Sequence, residues 1–314
     1  MKLNVGAFEI CGRIIDRAVP LRVADDKLDG GTLIVDCGAQ VAGGLEAGRL
    51  LAECCMAGLG HVSLTSGNQK LWRGLSVEVH TDHPIAACMA SQYAGWEIKA
   101  DDFFAMGSGP MRAAANKEEL FETIGYAEQP EIAVGILESR DPPTRQVSEL
   151  LAEQCGVSCA NLVLLFAPTA SQAGSVQIVA RSIETALHKL YELGFDLDRV
   201  ESGFGTAPLP PVAENDLAGI GRTNDAILYG AEVTLWLRGD DESLATIGPQ
   251  IPSNSSSDHG EPFASIFARH DHDFYKSDRQ LFSPAVVTLV NLDTGRTLRF
   301  GETSAELIHQ SFMS

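Results

Sequence analysis

The amino-acid sequence predicts an α/β protein. Strand-length apolar runs alternate with helix-length amphipathic stretches along 314 residues, and no repeat recurs at a fixed period. Apolar residues make up 45% of the chain, which is typical of a globular protein rather than a disordered one. Strands interleaved with helices favour the α/β class over an all-β fold or a helical bundle.

The predicted strands are short runs rich in β-branched and large apolar residues. The first follows the turn-forming residues Asp29, Gly30 and Gly31, and the second alternates apolar and polar positions with period two. The predicted strands are residues 32–37, 75–81, 131–137, 161–166, 232–237 and 284–292.

The predicted helices carry apolar residues at spacings of three and four. The first ends at Gly58 and Gly60, which suit a helix C-terminus, and Thr144 can cap a helix that starts after Pro142 and Pro143. The proline pair also places a tentative division between lobes 1–140 and 141–314. The polar residues 251–262 are predicted to form a surface loop. The predicted helices are residues 45–59, 117–124, 144–155 and 173–193.

Charge and composition exclude several classes of protein. Lys and Arg number 23 against 42 Asp and Glu, so the net charge is −19, and a nucleic-acid partner is not expected. No apolar run reaches about 18 residues, so we expect no membrane span. An acid within the first nine residues and the lack of a basic start argue against a secretory signal. Seven cysteines, with Cys54 and Cys55 adjacent, indicate reduced thiols and a cytoplasmic location.

The predicted helix 173–193 has two distinct faces. Polar side chains at spacings of four, three and four lie roughly opposite an apolar stripe. One interpretation is a solvated face with an arginine–glutamate pair, worth about 0.2–0.5 kcal/mol. The other is a face towards a pocket, where the glutamate takes a proton from water and the arginine keeps it ionised. The polar residues are Gln177, Arg181, Glu184 and His188.

Three further segments are ambiguous between turns and ligand contacts. The glycine-rich residues 106–112 and 202–206 lack the third glycine of a dinucleotide fingerprint, so each is either a tight turn or a source of backbone N–H groups for a ligand. Residues 91–96 combine an amide, a phenol and an indole, which suits a flat heteroaromatic ligand or an aromatic-edged turn after a buried helix. Residues 221–226 form either a capped turn or a polar ligand contact.

Other common catalytic patterns are missing or incomplete. The histidines in residues 80–83 and 270–273 do not have a spacing typical of metal ligands, and Cys155 and Cys159 are too far apart for a redox or zinc motif. The sequence also lacks the glycine-flanked serine elbow of serine hydrolases. We therefore expect no metal.

Long blocks, in order along nearly the whole chain, resemble those of the methenyltetrahydromethanopterin cyclohydrolases. The resemblance implies a two-lobed α/β subunit with mixed sheets and flanking helices, a pterin in the interlobe cleft, and a homotrimer. The blocks are residues 45–49, 88–96, 104–110, 167–171, 177–190, 193–196, 203–208, 221–225, 273–276 and 311–312.

The resemblance also implies an activity. Enzymes of this family add water to the cationic methenyl carbon of 5,10-methenyltetrahydromethanopterin and produce 5-formyltetrahydromethanopterin and a proton, reversibly. The tetrahydromethanopterin derivative is the substrate, and no metal or redox cofactor is bound. The reaction belongs to one-carbon metabolism in the cytoplasm, either in methane formation or in formaldehyde oxidation.

The family's catalytic arginine and glutamate fall on Arg181 and Glu184, which favours the pocket interpretation of that helix. Glu184 is then the general base and Arg181 its charged neighbour. On the same hypothesis, the expected substrate contacts are Ser91, Gln92, Tyr93, Gly107, Ser108, Gly109, Thr169, Ser171, Thr223 and Asn224.

Two alternatives belong to other functional classes. The chain could be a metal-dependent amidohydrolase that uses His270 and His272 as ligands. It could also be a pterin-binding protein without catalysis, in which the arginine and glutamate only hold the ring. The intact pair argues against the second alternative, because a protein that only binds has no need of a base.

Overall fold

Two six-stranded mixed sheets, with helices beside them, form the framework of the protein and confirm the predicted α/β class. A computed structural model describes residues 1–93, 95–100, 102–271, 273 and 276–313. The chain forms two compact units. Unit 1 comprises Met1–His61 and Ala86–Gln177, and unit 2 comprises Val62–Ile85 and Ile178–Ser314.

The sheet of unit 1 has the strand order β1-β2-β8-β7-β6-β5. Its central strands β2, β8 and β7 are parallel, and β1, β6 and β5 are antiparallel to their neighbours. The elements of this sheet and its helices are α1 (Leu3–Asp16), α2 (Ala18–Leu21), β1 (Ala24–Lys27), β2 (Leu33–Asp36), α3 (Leu45–Cys55), a π-helix (Ile85–Gln92), β5 (Trp96–Ala100), β6 (Phe103–Ser108), α4 (Met111–Ala115), α5 (Glu119–Ile124), β7 (Ala133–Glu138), α6 (Arg145–Cys155), β8 (Leu162–Ala167) and α7 (Gln172–Val179).

The parallel strands of unit 1 are buried on both faces. Val163 and Leu165 of β8 belong to one apolar cluster with residues of α1 and α3, whereas Leu164 and Phe166 belong to another with residues of α6. Successive side chains of a strand point to opposite faces, so a strand between two helical layers must be apolar at every position. This accounts for the unbroken apolar run that predicted β8.

The sheet of unit 2 has the order β12-β11-β10-β9-β4-β3. Strands β10 and β11 are parallel, and β9 is antiparallel to both β10 and β4. The elements are β3 (Gly60–Ser66), β4 (Leu75–Thr81), α8 (Ser182–Glu192), β9 (Val200–Pro208), α9 (Asp216–Leu228), β10 (Glu232–Leu237), α10 (Asp241–Ile247), α11 (Phe263–Arg269), β11 (Val286–Asn291), β12 (Thr297–Gly301) and α12 (Ala305–Phe312).

The predicted elements correspond closely to observed ones, with one clear error. Strands 75–81 and 232–237 have the predicted bounds, and the other predicted strands lie within a few residues of observed strands. The helix predicted over 173–193 is wrong as a single helix, because the chain leaves helical geometry at Ala180 and Arg181. The chain passes between the units after His61, Ile85 and Gln177. The lobes 1–140 and 141–314 and the cleft between them stay predictions.

The serine-rich residues 251–262, predicted as a surface loop, are instead partly buried in unit 2. Ser253 Oγ donates to Leu228 O at 2.5 Å, and Ser283 Oγ donates to Ile251 O at 2.6 Å. Both serines are fully buried. Short turns leave carbonyl groups without partners, and serine hydroxyls supply donors locally, so part of the polar composition here reflects internal hydrogen bonds.

Two buried charged side chains hold this region against helices α8 and α9. Lys189 of α8 is fully buried and donates to Gln280 O at 2.5 Å and Ser255 Oγ at 3.1 Å. Asp225 of α9 is also fully buried and accepts from the backbone N–H of Phe263 at 2.8 Å, at the start of α11. Burial lowers the pKa of Lys189 to about 8 and raises the pKa of Asp225 to about 7.

We predict that Asp225→Asn removes a pH-dependent loss of stability. The pKa of Asp225 rises from 3.8 to about 7 on folding, so its favourable contribution is complete below pH 3.8 and is lost as the pH rises through 7. Asparagine keeps the acceptor for Phe263 N–H but cannot ionise. The variant should therefore gain about 2–4 kcal/mol in free energy of unfolding relative to the wild type between acidic and weakly alkaline pH.

The measurement is urea denaturation at several pH values, with the exposed Asp198→Asn as control. The control should follow the wild type at every pH. A constant difference between Asp225→Asn and the wild type across the range would contradict the prediction.

Candidate active site

The interruption between α7 and α8 determines where the arginine and glutamate lie. Arg181 is the N-cap residue of α8, with φ −87° and ψ 10°, and its carbonyl accepts from Thr185 N–H at 2.9 Å. Glu184 therefore lies in the first turn of α8 rather than in the middle of a long helix. The positive end of the helix dipole favours a negative charge at that position, typically by about 0.3–1 kcal/mol.

Both faces of this region are buried, so the interpretation of a solvated polar face is wrong. Arg181 is 5% exposed and Glu184 is 4% exposed, and Gln177 is also buried. The side chain of His188 is 15% exposed. Burying an arginine and a glutamate is costly unless their charges are compensated, so such residues are candidates for function.

Glycines of strand β9 allow the first turn of α8 to approach the sheet closely. A Cβ atom on Gly203 would lie 2.8 Å from Ile183 Cγ2, and one on Gly205 would lie 2.3 Å from Ser182 Oγ. These glycines alternate with Ser202 and Phe204, so they share one face of the strand. The segment 202–206, predicted as either a turn or a ligand loop, is thus the part of β9 on which the residues preceding Glu184 pack.

In unit 1, several predicted contact residues surround Cys55, the last residue of α3. Ser91 Oγ donates to Cys55 O at 2.6 Å, Ser108 Oγ lies 3.3 Å from Cys55 Sγ, and Gln177 Nε2 donates to the same sulfur at 3.7 Å. The backbone oxygen of Gln92 lies 4.0 Å from that sulfur as well. The sequence did not predict Cys55 as a site residue, because a buried cysteine normally only packs against its neighbours.

The glycines of the 106–112 segment have separate structural tasks. Gly107 and Ser108 end strand β6, and a Cβ atom on Gly107 would lie 2.5 Å from Ile98 Cδ1. Gly109 has φ +87°, which glycine adopts without strain, and its N–H donates to Ser91 O at 2.9 Å. The segment is therefore a strand end followed by a tight turn, which joins residues 107–109 to the end of the π-helix.

The segment 91–96 begins at the end of the π-helix Ile85–Gln92, and its Ala94 lies outside the described residues. π-Helical turns are rare and are frequent at functional sites. The guanidinium of buried Arg112 lies 4.7 Å from the ring centre of Tyr93 and forms hydrogen bonds of 2.9 and 2.6 Å to the carboxylate of Glu118. Arg112 was missed because an arginine in a glycine-rich segment is normally exposed.

Thr169 and Ser171 lie between strand β8 and helix α7 and are both buried. Ser171 Oγ accepts from Gly174 N–H at 3.0 Å and donates to Pro168 O at 2.8 Å, so the serine caps the start of α7. The carbonyl of Thr169 accepts from Ser175 Oγ at 3.1 Å. These bonds hold the loop after β8 in one conformation.

Thr223 and Asn224 lie inside helix α9, so the segment 221–226 is not a turn. Thr223 Oγ1 donates back to Gly219 O at 2.9 Å, and Asn224 Nδ2 donates to Ile220 O at 2.9 Å. Thr223 is buried and Asn224 is partly exposed. The predicted contacts therefore form three groups: one around Cys55, one at the start of α7, and one on α9 of unit 2.

The alternative of a metal-dependent amidohydrolase concerns the histidine segments of the chain. No group of three or more histidine, cysteine, aspartate and glutamate side chains there has an arrangement that could hold a metal ion. His270 Nε2 lies 3.7 Å from Asp258 Oδ2, and His272 lies outside the described residues.

Among the helices of the described residues, none is both long enough and apolar enough to cross a bilayer.

Unit 2 also contains an open cavity of about 540 Å³ beyond the end of α8. Phe195, Arg199 and Asp240 line part of it, and none of the predicted site residues does. Arg199 is already engaged there, because it donates to Arg238 O at 2.7 Å and lies over the ring of Phe195. We assign no function to this cavity.

Buried ionisable side chains such as Arg181 and Glu184, close together in the sequence at the start of a helix, are candidates for an enzyme active site. The family described as "Cyclohydrolase (MCH)" matches residues 2–312. The chain therefore belongs to the methenyltetrahydromethanopterin cyclohydrolase family, as its sequence blocks indicated.

Individual relatives resemble the chain along almost its entire length. A methenyltetrahydromethanopterin cyclohydrolase of Methylobacillus flagellatus is 46% identical over 299 residues, which cover 95% of this chain and 91% of the relative. Enzymes of the same name from Methanospirillum hungatei JF-1 and Methylobacterium organophilum are 42% and 44% identical. Both matches cover 99% of this chain, and they cover 99% and 97% of the two relatives.

We predict that Gly203→Ala impairs the enzyme by displacing the first turn of α8. The added methyl group would contact Ile183 Cγ2, whose side chain is fully buried and stiff at χ1. We expect a loss of about 1–3 kcal/mol in free energy of unfolding and a fall of about tenfold or more in kcat/KM.

The matched control is Gly12→Ala in helix α1, where an added Cβ atom meets nothing within 4 Å. That variant should keep full activity and be as stable as the wild type or slightly more stable. Thermal melting and initial rates test both variants. A Gly203→Ala enzyme with wild-type melting temperature and kcat/KM would contradict the claim that close packing of α8 on β9 positions the active site.

Proposed function

We propose that this protein catalyses the reversible hydrolysis of 5,10-methenyltetrahydromethanopterin to 5-formyltetrahydromethanopterin, with Glu184 as the general base and Arg181 as its charged neighbour. The names and near-complete coverage of the relatives support the reaction. The burial of Arg181 and Glu184 at the start of one helix supports the assignment of these two residues.

The substrate's chemistry matches a site built around one carboxylate. The methenyl carbon lies between two nitrogens and carries positive charge, so it is already electrophilic and needs no Lewis acid to activate it. What the reaction requires is a positioned water molecule and an acceptor for its proton. A carboxylate base of this kind typically contributes about 10²–10⁴-fold to the rate.

The proton balance defines two tasks for Glu184. First, the water oxygen bonds to the methenyl carbon while one water proton passes to Glu184. Then Glu184 delivers that proton to the departing nitrogen as its bond to carbon breaks. The carboxylate so regenerated takes the hydroxyl proton as the formyl C=O forms. One of the two water protons ends on nitrogen, and the other leaves the enzyme. Arg181 stabilises the carboxylate form that begins each cycle.

The substrate contacts belong to the same proposal. They comprise Ser91, Gln92, Tyr93, Gly107, Ser108, Gly109, Thr169, Ser171, Thr223 and Asn224. The hydroxyls of Ser91, Ser108, Ser171 and Thr223 already have partners within the protein, so we expect these four residues to act mainly by holding their neighbours in place. A crystal with bound pterin tests this set.

The remaining parts of the proposal rest on the composition of the sequence and on its resemblance to the family. We expect a cytoplasmic homotrimer that binds no metal or redox cofactor, interacts with neither nucleic acid nor membranes, and serves either methane formation or formaldehyde oxidation. Light scattering of the purified protein tests the trimer. Metal analysis of the same sample tests the absence of a metal.

We predict that the purified protein converts methenyltetrahydromethanopterin much faster than methenyltetrahydrofolate, because the family acts on the former pterin. The assay follows the decay of the methenyl absorbance above the rate without enzyme. Treatment with a chelator should leave the rate unchanged. Loss of activity with the chelator would favour the metal-dependent amidohydrolase, and tight pterin binding without turnover would favour a binding protein.

We predict that Glu184→Gln abolishes turnover but retains pterin binding. Glutamine is close to glutamate in shape and cannot accept the proton, so kcat should fall by about 10²–10⁴-fold. The control is Glu306→Gln, since Glu306 is an exposed acid in the first turn of helix α12. Near-normal kcat in Glu184→Gln would disprove its role, and pterin binding is measured in parallel by fluorescence.

A further inference from the structure

A buried general base needs a route by which protons reach solvent. On the proposed reaction, each hydrolytic turnover releases one proton, and Glu184 is only 4% exposed. The carboxylate must lose that proton before it can accept another. The residues that follow Glu184 along α8 offer a route.

Helix α8 carries three ionisable side chains in one row. Glu184, His188 and Glu192 are spaced by four residues within the helix Ser182–Glu192, so they lie one above another on the same face. Side chains four apart on a helix have Cβ atoms about 5–6 Å from each other. The exposed fraction rises along the row, because the side chain of His188 is 15% exposed and that of Glu192 is 23% exposed.

The outer step of the row is a close contact. His188 Nε2 lies 3.5 Å from Glu192 Oε1. Helical side chains lean towards the N-terminus of their helix, so Glu192 reaches back to His188, and His188 leans in the same way over the turn that contains Glu184. The inner step that the relay requires is a single water molecule between the imidazole and the Glu184 carboxylate, which is consistent with side chains four residues apart on one helix face.

The groups around His188 suit reversible protonation. The carboxylate of Glu192 faces the His188 ring, and Arg279 Nη1 lies 3.8 Å from Glu192 Oε1 on the side of the adjoining turn. The ring of Tyr191 lies 6.5 Å from the His188 ring. The ammonium of the neighbouring Lys189 is engaged with Ser255 and Gln280. Histidine is the side chain that most readily gains and loses a proton near neutral pH.

We propose that His188 relays protons between Glu184 and solvent, with Glu192 as the outer acceptor. In hydrolysis, the protonated Glu184 gives its proton to the neutral His188 ring through water. The ring then releases a proton to Glu192 or bulk water, and Glu184 returns to its carboxylate form. In the reverse reaction the same groups carry a proton inward. This inference rests on the proposed function and adds a residue that acts through Glu184 rather than on the substrate.

The test replaces His188 with glutamine, which keeps a polar side chain but does not relay a proton. In dilute buffer, His188→Gln should lower kcat by about tenfold or more while the KM changes little. Concentrated imidazole at the same pH and ionic strength should restore much of the loss, since a small base can accept the proton directly from Glu184. The wild type should be insensitive to the imidazole concentration. Rates without enzyme are subtracted at each buffer concentration.

The control His309→Gln, at an exposed histidine of helix α12, should behave like the wild type in both buffers. Glu192→Gln should show a smaller loss of kcat with the same response to imidazole. Wild-type kcat for His188→Gln in dilute buffer would overturn the relay. A loss of kcat that imidazole does not restore would also overturn it and would indicate a structural role. A wild-type protein inactive on the pterin would instead contradict the proposed function.

Discussion

The close packing of helix α8 on strand β9 is the constraint on which the candidate active site depends. Gly203 and Gly205 leave no side chains between the strand and the first turn of α8, so Ser182 and Ile183 lie directly against the sheet. Glu184 follows them at a defined height above β9. Because a strand is more rigid than a loop, the first turn of α8, to which Glu184 belongs, rests on a regular part of the fold.

Buried polar groups help to attach the irregular part of unit 2 to its helices. Lys189 and Asp225 reach backbone groups of residues 251–283, and serine hydroxyls bond the carbonyls left over in the turns. Removing one partner of such a bond leaves the other buried and unsatisfied, which typically costs about 1–3 kcal/mol. These hydrogen bonds act together with buried apolar side chains such as Phe263 and Leu281, which attach the same region.

Much of the fold was predictable because burial on two faces leaves a clear mark in the sequence. The uninterrupted apolar run of β8 and the alternation in β4 are direct consequences of their positions in the sheets. The interruption at Ala180 and Arg181 was not predictable, since neither residue disfavours a helix. Directly after the interruption, Ser182 and Ile183 pack on β9, a long-range contact that a local pattern does not record. The glycines of β9 led to the prediction of a turn or ligand loop over 202–206, because glycine favours turns in a local pattern. Glycine occurs inside a strand where another part of the chain approaches closely, and that contact is not visible in the local sequence.

The threading of the chain has a consequence for synthesis in the cell. Strands β3 and β4 belong to the second sheet, but β4 pairs with β9, which follows after most of unit 1 has been made. At ribosomal rates of about 5–20 residues per second, β4 spends seconds without its partner strand β9. A nascent chain that stalled before β9 would expose the edge of β4, which could then pair with a strand of another chain. A chaperone that covers β4 until β9 has been made would prevent this pairing.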